Sequence, residues 1–143
     1  MGKSAKPTEQ VAILGTIDAQ TIKTTAVESD RVDPKLFQRL RLTVIFGTVT
    51  DNPTVTLFKA TATTAGTTTA LSSVSVAASS ATLTQRVFNW DADQSYDTAA
   101  PYVGVKVSFA DTNANTASAI IDGFNGEYLS ASDNDLATVA IVN

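Results

Sequence analysis

Two clusters of oxygen-bearing side chains are the chain's best material for chemistry. Asp91, Asp93 and Asp97 crowd one stretch beside Trp90 and Tyr96. Oxygens at alternate positions suit a calcium loop, but the sixth position, which needs glycine, is Tyr96, and no acid stands at the twelfth. Asp111, Asn113 and Asn115 repeat the pattern, with Asp122 at the twelfth position. There the sixth residue is Thr116, and Asp122 falls in a strand-like run. Both clusters therefore read as turns built by Asp and Asn, and no metal site is expected. Paired carboxylates also serve glycoside hydrolysis. Such a cleft wants aromatic platforms, and only Trp90 and Tyr96 are near. Trp90, the single tryptophan, reads more simply as a core or interface anchor. Gly2-Lys3-Ser4 matches the end of a phosphate-binding loop without the preceding glycine and strand, and reads as part of a polar arm.

The chain has no His and no Cys. That removes His- or Cys-based nucleophilic catalysis, thiolate or imidazole zinc sites and disulfides. The expectation is a protein without catalytic residues or cofactor.

The elements around these clusters follow from composition. In 143 residues there are 22 Thr, 21 Ala and 12 Ser, and charged residues make up only 17%. β-branched Thr and Val favour pleated strands over helices. A 43% apolar share with net charge −4 argues against global disorder. Residues 1–71 carry a balance of +2 and residues 72–143 one of −6. No basic stripe for nucleic acid results. No apolar run is long enough to span a membrane. Val11–Ile17 is a poor signal-peptide core, because Gly15 and Thr16 interrupt it and Asp18 follows. Lys6 stands where myristoylation wants Ser or Thr. Synthesis in a cytoplasm is expected.

Residues 1–10 read as an extended arm and residues 11–143 as one β-sandwich domain. Val11–Ile17 reads as a first strand and residues 19–28 as a weaker second. Pro34 opposes a long helix across the turn that follows. In residues 38–50, Leu40, Leu42, Val44 and Phe46 alternate with Arg39, Arg41 and Thr43. Asp51-Asn52-Pro53 then turns the chain, and residues 54–62 read as the hairpin partner. Residues 63–80 are low in complexity, with a short strand at most, and residues 81–90 form another. Residues 102–109 alternate strictly: Val103, Val105, Val107 and Phe109 face one way. Residues 116–124 return after the turn, and the tail ends apolar. Seven or eight short strands with regular turns predict an all-β, antiparallel β-sandwich of jelly-roll type.

Three stretches carry a resemblance. They are AILGTIDAQTI, then LTVIFGTVTDNPTVTLFKATATTAG, then YVGVKVSFADTNANTASAIIDGF followed by DNDLATVAIVN. In pattern and order they resemble small virion proteins of tailed bacteriophages that act as capsid decoration, or cement, proteins. The resemblance implies a homotrimer on the outside of an icosahedral head, bridging subunits of the major capsid protein. The charge distribution and the lack of a long apolar run lead to the expectation of no nucleic-acid and no membrane partner. Lys3 and Lys6 of the arm, Trp90, Tyr96, and Leu136, Val139 and Ile141 of the tail are the interface candidates, the tail by joining a neighbour's sheet. Alternatives are a tail or head-fibre component and a carbohydrate-binding module.

Overall fold

The computed structural model describes residues 11–37, 39–64, 66–77, 84–91 and 97–124. The strands are β1 (Val11–Ile22), β2 (Val27–Glu28), β3 (Arg39–Phe46), β4 (Thr54–Ala60), β5 (Thr68–Ser75), β6 (Gln85–Asp91), β7 (Tyr102–Ser108) and β8 (Asn115–Phe124). A 3-10 turn, Pro34–Leu36, is capped by Asp33, whose carboxylate accepts from the Lys35 N–H.

Two antiparallel sheets face each other, ordered β1-β8-β3-β6 and β2-β7-β4-β5. First pairs with last, second with next to last, and so inward to β4 with β5. That is the wrapping of a jelly roll. Alternation sets which face is hidden. Leu40, Leu42, Val44 and Phe46 of β3, and Val103, Val105 and Val107 of β7, are all buried. Leu42, Val44, Phe46, Val105 and Val107 meet Ile17, Ile22, Val55, Ala119 and Ile121 between the sheets in one main cluster. Each such side chain contributes about 1.5–3 kcal/mol by leaving water. A smaller cluster of Ala12, Phe37, Leu40 and Val103 closes one end.

Three expectations are corrected. Residues 11–22 form one strand, not two with a break near Asp18. β8 backs the whole length, and register shifts at Ile13/Gly15 and Ile17/Gln20 absorb the irregular pattern. β3 and β4 are not a hairpin, since they lie in different sheets, and β3 pairs with β6 and β8. Residues 116–124 likewise return to β1 and β3 and not to β7. The cause lies in the connections. Val49 and Phe109 are buried in the core, which pulls each connection across the sandwich. The true hairpin is β4–β5, in the low-complexity region. Its turn buries no large side chain, and Gly66 supplies the left-handed backbone it needs, φ 111°.

Glycine also makes room for Phe58. The Phe58 ring is buried against Gly104, where an added Cβ would lie 2.6 Å from its Cζ. The Arg31 guanidinium covers the ring from 5.6 Å and donates to the Ala62 carbonyl. Gly104→Ala should displace the ring and cost about 1–3 kcal/mol, read from the urea midpoint. A midpoint within error of the parent would refute this packing.

Candidate interface surfaces

Four described carboxylates, those of Asp51, Asp97, Asp111 and Asp122, are spent on internal ties. Asp111 and Asn115 join the two crossings that link β3 to β4 and β7 to β8. Asn115 is fully buried. Its Oδ1 accepts from the Thr50 N–H at 2.8 Å and from the Thr50 hydroxyl at 3.1 Å. Its Nδ2 donates to Asp111 Oδ1 at 2.7 Å and to the Asn113 carbonyl at 3.2 Å. The side chain is thus satisfied on every side, the condition for burying a carboxamide. From the other crossing, Asp51 Oδ2 accepts from the N–H groups of Ala110 and Asp111. Desolvation works to raise the Asp111 pKa, but hydrogen bonds from Asn113, Asn115 and Thr50 outweigh it, and the net shift is downward.

Asp122 is too far along β8 to join that corner. It lies on the Arg41 side chain, with Nη2 2.7 Å from Oδ2, and Arg41 also stacks 4.9 Å over the Phe124 ring. Asp97 accepts from Lys59 and from the Ala99 N–H. Those two bonds, the Lys59 one first, hold its pKa below the ordinary value. Among the described residues, no three acidic side chains come together as a metal group. Asp93 lies outside the described residues. Asp91 pairs with Arg39 in the ladder.

Of the seven interface candidates, Trp90 alone falls within the described residues, opposite Leu40 on edge strand β6. Lys3, Lys6, Tyr96, Leu136, Val139 and Ile141 lie outside them. The structure adds two residues that sequence reasoning missed. On the outer face of the first sheet, Ile45 is 46% exposed and Val87 52%. β3 presents Arg39, Arg41, Thr43 and Ile45 on that side, and Ile45 breaks an otherwise polar row. That break was a readable signal. Beside Ile45 a depression of about 850 Å³ crosses all four strands, bordered by Gln20, Thr21, Gln85 and Ser118. The polar groups along this border are neutral, and Ile45 is the exposed aliphatic side chain among them.

The depressed pKa values of Asp97 and Asp111 set a pH dependence. Above the unfolded carboxylate pKa of about 3.9 their stabilisation is complete. It is lost as pH falls through the lower folded values, because the unfolded chain binds protons first. Asp111→Asn should therefore flatten the rise of stability with pH below about pH 4. Urea titrations across that range read it, and an unchanged slope would refute the assignment. Asn115→Ala should cost about 1–3 kcal/mol at neutral pH, since it removes the hydrogen bonds of a fully buried carboxamide, while water can reach the exposed Thr50 and half-buried Asp111. A loss under about 0.5 kcal/mol in the same titration would contradict that role.

No protein-family model and no curated protein matches the chain. Solved structures do. The PBSX exported protein XepA aligns with a TM-score of 0.52 at 11% identity, over 100% of this chain and 46% of that one. A protein of Bacillus endospore appendages, which form disulfide-linked pili, aligns with a TM-score of 0.47 at 16% identity, over 87% of this chain and 98% of that one. The Tobacco streak virus coat protein gives 0.44 at 9% identity, over 96% and 100%. This chain thus spans less than half of XepA's length, and what the two share is the all-β sandwich fold.

Proposed function

We propose that the chain is a non-catalytic structural virion protein that decorates a phage head from outside, bridging subunits of the major capsid protein. The observation that carries this reading is the outer face of the first sheet. There Ile45 and Val87 stand in solvent on a four-stranded surface, while Asp97, Asp111 and Asp122 hold the fold together. Such a face offers area and shape instead of reactivity. Repeated over a shell, modest contacts of this kind add through avidity. The fold shared with XepA supports a sandwich suited to that use. The proposal includes a homotrimer, whose three-fold symmetry matches a local three-fold position on a head.

Ile45→Lys with Val87→Lys tests it. Both positions are exposed, so each change should alter stability by no more than about 0.5 kcal/mol. Binding to purified heads that lack the protein, followed by sedimentation, should fall at least about tenfold, the effect of losing roughly 1.4 kcal/mol. Electron microscopy of heads incubated with the parent chain should show added density outside the shell. Density confined to tails, or none, would overturn the reading, as would undiminished binding by the double variant.

A further inference from the structure

Among the described residues four strands stand at sheet edges: β1 and β6 in the first sheet, β2 and β5 in the second. An open edge offers unpaired N–H and C=O groups to another strand, and charge, bulges or brevity guard it. β1 carries Asp18, and β6 carries Arg86 and Asp91. β2 has two residues, followed at once by Asp30 and Arg31. β5, TTALSSVS, has eight residues, no charge and no proline. From Thr69 to Ser75 it is exposed throughout, including Leu71 and Val74.

Its backbone has a defined phase. The Thr61 N–H donates to the Thr67 carbonyl at one end, and the Val76 N–H to the Pro53 carbonyl at the other. Bonded and non-bonded positions alternate inward from each end. Thr69, Ser72 and Val74 therefore bond to β4, while Thr68, Ala70, Ser73 and Ser75 turn their N–H and C=O groups outward. Leu71 is the extra residue at the register shift between Leu57 and Phe58. The outward positions are thus spaced by two, three and two residues.

That spacing reads the same in both directions. A regular strand presents its groups at every second residue, so it matches one half of this edge and falls out of phase with the other. A second copy of β5, run antiparallel, carries the same interruption at the same place. With Leu71 opposite Ser72 of the copy, Thr68 meets Ser75 and Ala70 meets Ser73, each twice by symmetry. Every outward position on both strands then has a partner, which gives about eight hydrogen bonds. The same register sets Val74 opposite Thr69 of the copy, a cross-strand pair of β-branched side chains. No charge opposes the approach, because β5 has none.

We infer that β5 is a self-pairing edge, through which two copies of the chain join about a two-fold axis. The second sheets of the two copies, four strands each, become one continuous sheet. Such a contact is isologous, so it closes on itself and does not propagate. It doubles whatever unit the chain otherwise forms: a single chain becomes a dimer, a trimer a hexamer. The inference therefore stands independently of head binding and of the proposed trimer.

Charge placed on the pairing positions tests it. Thr68 and Ser75 lie at opposite ends of β5 and meet only across the two-fold axis. Thr68→Glu with Ser75→Glu sets like charges opposite each other. At a concentration where the parent is doubled, this doubly acidic variant should sediment with half the parent's mass. Thr68→Lys with Ser75→Glu sets opposite charges there and should keep the doubled mass. Amides of Ala70 and Ser73 should exchange at least about tenfold faster in the doubly acidic variant than in the parent. Those of Ser72 and Val74, bonded to β4, should exchange alike in both, which shows that the sandwich is intact. Equal mass for the parent and the doubly acidic variant up to about 1 mM chain, the weak end of measurable affinity, would overturn the inference. Protection of Ala70 and Ser73 at that equal mass would overturn it by assigning the cover to the same chain. Equal dissociation of both variants would overturn the register, and with it the two-fold pairing.

Discussion

The apolar face of each sheet must be covered by the other sheet, and this chain meets that demand by crossing between sheets at every connection except β4–β5. Almost every ladder therefore joins residues distant in sequence, and the pairing of β1 with β8 joins the two ends of the described chain. No early pair is stable alone, since a single hairpin is marginal in water. Contacts of this kind carry a high loop-closure cost before they return anything, which makes folding slow and cooperative.

Crossings expose backbone where the chain leaves its ladder, and that is where the polar side chains are concentrated. Asn115, Asp111, Thr50 and Asp51 join two crossings into one corner. Ser29 does the same for the edge of the second sheet: its hydroxyl accepts from the Val105 N–H and donates to the Asp30 carbonyl. The Asp and Asn spacing that suggests ligand positions in the sequence serves turns instead. A carboxylate whose lone pairs face neighbouring N–H groups is a structural brace, and Asp111 and Asp97 both meet that description.

The hidden faces were legible from alternation. Leu40 to Phe46 and Val103 to Phe109 point inward as a period of two requires. Partnership was not, because alternation says that a face is covered and not by which strand. Val49 and Phe109, single apolar residues inside connections, were the distinguishing marks. A connection whose apolar residue joins the core crosses the sandwich, whereas TATTAGT, with nothing to bury, makes the hairpin. Residues 11–22 were misread for a related reason: bulges shift the alternation, so one strand resembles two. For the surface, Ile45 was visible as a break in a polar row. Val87 was not, since an apolar residue in β6 is expected to be buried until its partner Thr43 is known to face outward.

The two open features of the sandwich call for different kinds of contact. On the outer face of the first sheet the backbone is already paired, so a partner can use only side chains, and Ile45 and Val87 reward area over direction. Along β5 the unpaired backbone demands a strand, and its small side chains offer little else. A face of the first kind tolerates partners of varied sequence, provided their shape fits. An edge of the second kind accepts any strand, which makes it hazardous wherever copies of a chain meet at high local concentration. Among the described edges, charge guards β1, β2 and β6 and is absent from β5.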